Sequence, residues 1–369
     1  MTGMCWETGM CCRALRHAGR TTLWIALLGA GQTAWAQTVP TDLLDLSIEA
    51  LFEANVVTEA ERAQVARRWH ASYTYAVSDY HDYYLGTQRI NYDEVLFQPG
   101  QEDRTGSNYP VVPTEIKQEV HALRLAYDLT PALTVRAQLP FVMQSTDHIS
   151  IVPGYDAFNI SSEGIGDTAL LVDGIVRQTL NSIWRLGAGI SVPTGSIDEE
   201  GDTPRAPGNQ QLPYTMQLGS GTWDVPLLLS FRKYGAQWDW GAHADVTWRT
   251  GKNDRDYRLG HKAGVSGWFQ WKGFTGFSPG MRLQYRWRDT ITGQDAALLV
   301  PNPQFPYPAP VTNPSAFGGE QIDLTVFVRV PLTDSWYTQA SYAQPLYLDL
   351  NGPQSSEKYH FSIEIGTSF

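Results

Sequence analysis

Eight histidines, three cysteines and one acidic run are the residues of this 369-residue chain that could carry acid–base, covalent or metal chemistry. Their spacing argues against all three. There is no HExxH and no paired-histidine metal spacing; His121, His243, His261 and His360 each stand alone inside alternating segments. A hydrolase serine needs a histidine within reach, and His360-Phe361-Ser362 places both on one strand face, but nothing else completes a site. Asp198-Glu199-Glu200 with Asp202 could gather round a divalent cation, yet reads better as a solvated loop. No catalysis, cofactor or metal is therefore expected. The remaining chemistry is electrostatic. Arginines recur on the polar faces of alternating segments: Arg136, Arg185, Arg249, Arg282, Arg286, Arg288 and Arg329, with Asp245 and Asp323 among the opposing acids. Rings of charge facing a lumen set the selectivity of a pore, so these residues are expected to line one. Arg282, Arg286 and Arg288 on a single segment make a cationic strip or part of an interlocked ion-pair network; both remain open.

The elements that position these side chains follow from what comes first in the chain. Arg13, Arg16 and Arg20 precede the apolar run Leu23-Trp24-Ile25-Ala26-Leu27-Leu28, and Ala34-Trp35-Ala36 supplies a small-x-small site. Basic, apolar and small residues in that order read as a cleaved secretory signal over 1–36, too short in its apolar part to span a bilayer. Cys5, Cys11 and Cys12 all lie before that run, so the mature chain is expected to hold no thiol. The chain has 27 basic and 38 acidic residues; removing three arginines and Glu7 leaves 24 − 37 = −13. That charge disfavours nucleic acid as a partner.

Beyond residue 68 the apolar residues sit at every second position, segment after segment. Leu133, Val135, Ala137, Leu139 and Phe141 oppose Thr134, Arg136 and Gln138. Ile322, Leu324, Val326, Val328 and Val330 oppose Asp323, Thr325 and Arg329. Successive side chains of a strand point to opposite faces, so each segment has one apolar and one polar side. A soluble sandwich alternates too. Two features favour a membrane: the strands are long, about 10 residues or more, and aromatics such as Trp184, Trp238, Trp248, Trp271, Trp287 and Trp336 cluster at their ends. The expected fold is all-β, a transmembrane antiparallel β-barrel of about 12 strands over 69–369, with short turns on one side and long loops near 91–114, 148–162, 196–220 and 292–318 on the other. Residues 37–68 have helical spacing, with Thr58 and Glu61 as a capping box, and read as a periplasmic or plug-like helical segment.

The last strand alternates Phe361, Ile363, Ile365 and Thr367 and ends in Phe369. It resembles the closing strand of outer-membrane barrels, whose terminal aromatic is read by the barrel-assembly machinery. Gly164-Ile165-Gly166-Asp167, Pro193-Thr194-Gly195 and Gly219-Ser220-Gly221-Thr222-Trp223-Asp224, with Leu129–Val135 and Leu139-Pro140-Phe141, are similar to an outer-membrane family described as a putative MetA-pathway of phenol degradation, over most of 115–369. The resemblance implies a barrel for passage of small, aromatic or apolar compounds, and no catalytic residues. The same glycines and prolines also read as turn geometry. The expected function is thus an outer-membrane channel for passive passage of a small-molecule solute, aromatic or anionic, embedded in outer-membrane lipid of a Gram-negative cell. Plugged structural or interaction barrel and membrane-embedded lipid hydrolase are the alternatives.

Overall fold

The computed structural model describes residues 68–100 and 103–369. The expected signal peptide, and the expected helical segment apart from Arg68, lie outside them. Twelve strands build the wall: β1 (Trp69–Gly86), β2 (Val111–Thr130), β3 (Leu133–Ser150), β4 (Ala157–Ile165), β5 (Thr168–Gln178), β6 (Ser182–Val192), β7 (Asp224–Tyr234), β8 (Trp238–Arg249), β9 (Lys262–Trp271), β10 (Ser278–Arg288), β11 (Gly319–Pro331) and β12 (Trp336–Ser368). All pair antiparallel, and β12 closes on β1. The sheet has 13 strands; β4 and Gln88–Ile90 attach to one neighbour each, leaving 13 − 2 = 11 in the closed ring. β12 traverses the wall twice. Its first arm pairs with β11 from Tyr337 to Leu350, and its second pairs with β1 from Leu350 to Ser368, so the expected twelve crossings are made by eleven ring strands. Closure leaves no open edge for lipid to meet in the ring, which is what makes a sheet viable in a bilayer.

The two faces separate as the alternation requires. On β3, Thr134, Arg136, Gln138 and Gln144 are buried inside while Leu139, Phe141 and Met143 are exposed outside. Leu123, Leu170, Leu186, Val265, Leu283 and Ile363 continue the exposed apolar belt round the ring. At the short-turn end an aromatic stack runs along the surface, with ring centroids 4.7 Å apart for Trp184–Phe231, 5.3 Å for Phe231–Trp240 and 4.2 Å for Trp238–Trp271. Trp248 and Trp287 mark the opposite edge. An amphipathic ring suits the headgroup zone, so the two girdles bracket a lipid-facing band. Leu283, 52% exposed and level with Leu324 and Gly267, sits between them. Leu283→Arg is expected to cost about 2–4 kcal/mol, the range for a cation near the midplane. Denaturant unfolding in lipid vesicles measures it; an unchanged midpoint would mean this face does not meet hydrocarbon.

The structure corrects one loop. The expected connection 148–162 is largely strand, because β3 runs on to Ser150 and β4 pairs with it from Ile149↔Ala157 to Phe141↔Ile165. Along β4 the polarity inverts: Ile160 is buried inside, while Asn159, Ser161 and Glu163 face out. This hairpin therefore stands above the lipid band, where a polar exterior meets water. Ahead of β9, Tyr257–Arg258 pairs with Thr292–Gly293 outside the wall.

Candidate functional site

The interior is built from the inward-facing members of each strand, and its short-turn end is a continuous polar network. Ser368 and Asp128 hold the two nitrogens of His70 at 2.9 and 3.1 Å. Asp128 accepts from Thr134 at 2.7 Å, and Thr134 in turn accepts from Arg185 at 2.9 Å. Arg185 and Arg136, from β6 and β3, converge on one carboxylate, Asp173 of β5, with Arg136 Nε 2.5 Å from it. Asp173, Arg136 and Arg185 are all buried. On the adjoining strands, Arg124 bonds Gln138, Thr74 and Glu364 at 2.9, 2.7 and 3.2 Å, Tyr337 donates to Glu364, and Arg329 lies 3.4 Å over the Tyr337 ring. Arg232 and Lys272 both reach Asp239, at 2.7 Å. Charges taken out of water persist only when paired and hydrogen-bonded, and these pairs cross from strand to strand.

At the loop end lies a cavity of about 100 Å³. Tyr80, Tyr83 and Ile116 form one side, and Lys262, Arg286 and Arg288 another. Arg286 is bound to Asp323 at 2.7 Å and to Glu357 at 3.1 Å, and Gln321 supports Asp323 at 2.6 Å. Pro310, Val311 and Phe317, in two short 3-10 turns and their flank, close the cavity from the loop after β10. That loop belongs to a larger apolar cluster joining Val111 of β2 with Tyr214, Tyr257, Leu259, Leu298 and Phe317. β2 and β9 lie on opposite sides of the ring. Loops that pack into one core from both sides must cross the mouth. Backbone and side-chain bonds tie them: Val111 N–H to Pro308 O at 3.1 Å, Arg104 to Tyr307 O at 2.9 Å, Asp295 N–H to the Tyr214 hydroxyl at 2.9 Å. Burial pushes the Tyr214 and Tyr257 phenols well up, so both stay neutral within this lid. Of the Pro-rich stretch Pro301–Pro314, Ala309, Pro310, Val311 and Thr312 are buried in this lid. The acidic run contributes single contacts, Asp198 to Arg255 at 2.6 Å and Asp202 to Tyr155 at 2.6 Å.

The three glycine-rich motifs meet at one point of the wall, where β4 hands over to β5. The Asp167 carboxylate accepts from the Gly195 N–H at 3.0 Å, the Ser220 N–H at 2.8 Å and the Ser220 hydroxyl at 2.7 Å. Thr194 donates to Gly166 O at 2.7 Å and accepts from the Thr168 N–H at 2.9 Å. Gly195 and Gly219 touch backbone to backbone: a Cβ on Gly219 would fall 2.5 Å from both Asp167 Oδ1 and Gly195 O. Ser220 and Thr222 then pass the contact to Asp224, which pairs with Arg249. The motifs are a clamp between segments some 30 to 50 residues apart, where turn geometry alone was the simpler sequence reading. Nothing local to Asp167 could reveal its donors, which come from two distant turns.

The residues expected to line a pore lie on the polar faces of their strands. Arg136, Arg185, Arg249, Arg282, Arg329, Asp245 and Asp323 are buried, and Arg286 and Arg288 partly so. Ile363, Ile365 and Phe369 are exposed on the outer face, with Phe361 half-buried among them. Phe369 is held by reciprocal backbone bonds to Trp69, which close the barrel at 2.9 and 3.1 Å. Sequence reasoning missed Asp173; its position two residues beyond Leu171 on the inward face of β5 was the available signal. A solved structure shares this architecture: the COG4313 outer membrane channel from Pseudomonas putida F1 matches 82% of this chain and 95% of its own, with 17% identity and a TM-score of 0.54. The fold is similar to that of an outer-membrane channel. Weaker matches include the TodX monoaromatic hydrocarbon channel (88% of this chain and 95% of that one, 9% identity, TM-score 0.42) and the KdgM porin (81% and 99%, 7%, 0.39). No family model matches the chain, so membership of the phenol-degradation family is not shown. No curated protein matches it either.

Proposed function

We propose that this chain is an outer-membrane channel for passive passage of a small molecule, without catalysis. The observation that carries the reading is the inversion of a closed barrel: apolar outside between two aromatic girdles, charged and hydrogen-bonded inside. A soluble barrel would bury its apolar face. The loop-end cavity offers the solute's waiting place, with tyrosines against Lys262, Arg286 and Arg288, a lining suited to an aromatic or anionic molecule. Arg136, Arg185, Arg249, Arg282, Arg286, Arg288, Arg329, Asp245 and Asp323 line the path. Residues 1–36 direct export, 37–68 form the periplasmic or plug-like segment, and Phe361, Ile363, Ile365 and Phe369 present the strand that the barrel-assembly machinery reads.

The test is conductance in planar bilayers, comparing the mature chain with two variants: one lacking residues 37–68, one with the lid stretch 299–309 shortened to a glycine turn. A channel gives resolved steps, and shortening the lid is expected to raise the step several-fold, since the loops across the mouth are the access resistance. If all three are silent while migrating as folded, heat-modifiable barrels, the channel reading fails and a plugged structural barrel replaces it.

A further inference from the structure

The charges around the loop-end cavity do not balance. Lys262, at the start of β9, stands directly opposite Arg288, at the end of β10, and both line the cavity. Like charges opposite each other on neighbouring strands destabilise a sheet, so this pair calls for a negative group beside it. The nearby acids are engaged elsewhere. Asp323 and Glu357 both bind Arg286, and Asp224, whose charge also reaches Lys262, binds Arg249. The cavity is lined by three cations, Lys262, Arg286 and Arg288, and the two carboxylates on Arg286 offset two of them, leaving 3 − 2 = +1. Glu320 borders the cavity as well, but it lies level with Trp287 on the outer face and its side chain is exposed there.

The facing wall holds a proton without an acceptor. Tyr83 of β1 and Ser355 of β12 are register partners, and both line the cavity. Tyr83 is 1% exposed, and neither hydroxyl meets a partner in hydrogen-bond geometry. Each hydroxyl carries one donor, so two side by side can satisfy at most one proton between themselves. The other stays buried and unmet, which is unfavourable until a third group brings an oxygen. Ile116, Val311, Phe317 and Leu348, all buried, supply the apolar part of the lining. Size decides what fits. An apolar cavity of about 150 Å³ holds one benzene ring, so the present space of about 100 Å³ takes roughly five non-hydrogen atoms. A ring that also bears a carboxylate is too large.

Resting on the channel function proposed above, we propose that this cavity is a binding site for a short-chain monocarboxylate of about propionate size. One carboxylate answers both observations: its single charge meets the surplus at Lys262 and Arg288, and its two oxygens have lone pairs enough to take the spare hydroxyl proton too. The short alkyl chain lies against Ile116, Val311 and Phe317. Of the aromatic and anionic solutes that the lining suits in general, the site thus selects the small anionic ones.

Isothermal titration of the full chain, folded in detergent, tests this with sodium propionate, 1-propanol and sodium benzoate. Propionate is expected to bind with a Kd of about 0.1–1 mM, inside the limit for so few atoms. The neutral 1-propanol and the larger benzoate are each expected to bind at least about tenfold more weakly. Arg288→Met should weaken propionate about tenfold or more, while Arg288→Lys, which keeps the charge, stays within about threefold. Tyr83→Phe should weaken it about threefold to tenfold by removing a donor. Heat-modifiable migration verifies that each variant is folded. The site is overturned if propionate binds the Arg288→Met chain as well as the unchanged one, binds no better than 1-propanol or benzoate, or does not bind at all. Conductance in potassium chloride, with no carboxylate present, reads the channel separately. A chain that conducts and ignores propionate loses this site and keeps the channel; one that binds propionate and never conducts keeps the site and loses the channel.

Discussion

Asp173→Leu is expected to destabilise the barrel by about 3–5 kcal/mol, the cost of breaking a buried ion pair by removing one partner. The carboxylate is shared: Arg136 Nε bonds one oxygen and Arg185 Nε the other, and all three side chains are almost fully enclosed. Removing it strands two guanidinium groups side by side, so the loss includes their mutual repulsion. The origin of the effect is checked by the triple variant Asp173→Leu, Arg136→Met, Arg185→Met. Replacing a whole buried ionic cluster with apolar residues of similar size is often neutral. The triple variant should therefore recover most of the stability lost in the single one, measured as the denaturant midpoint in lipid vesicles. A single variant as stable as the parent would show that the cluster carries no weight. A triple variant as poor as the single one would place the cost in packing instead of charge.

Asp167→Ala is expected to release the segment between β6 and β7. Three donors, the Gly195 N–H and both donors of Ser220, lose their acceptor at once. Each buried donor left unmade costs roughly 1–3 kcal/mol, so the clamp is worth several kcal/mol in all. That segment carries Leu212 and Met216, which pack on Ile160 inside β4, and Tyr214, which joins the lid. The predicted readout is local: limited proteolysis should cut within residues 196–219 in the variant at a protease concentration that leaves the parent intact, while the lower barrel stays resistant. Gly219→Val should do the same by a different route, because its Cβ would overlap Gly195 O and Asp167 Oδ1 at 2.5 Å. Asp167→Asn, keeping one acceptor oxygen, belongs between the parent and the alanine variant. Equal protease resistance in all four chains would mean that the loops are held by the lid alone.

The alternation of side chains determined the strands, their faces and the lipid band, because a two-residue period is local and each residue declares its own side. It placed Arg136 and Asp323 inside and Leu283 and Ile363 outside before any partner was known, and it gave twelve crossings because turns interrupt the period. The period could not say how β4 would behave. Its outward residues are polar and its inward Ile160 apolar, so it reads as a loop until β3 is seen to extend above the lipid band and the meaning of inside and outside reverses. Nor could it choose between a cationic strip and an interlocked network. That depends on which acid faces which arginine across neighbouring strands: Asp173 reaches Arg136 and Arg185 through the β3–β5 and β5–β6 registers, and Arg286 finds Glu357 from 71 residues away. The same holds for Asp167, whose donors arrive from two turns. Each of these contacts exists only once the ring has closed and fixed the distance between strands, and that is information no single strand contains.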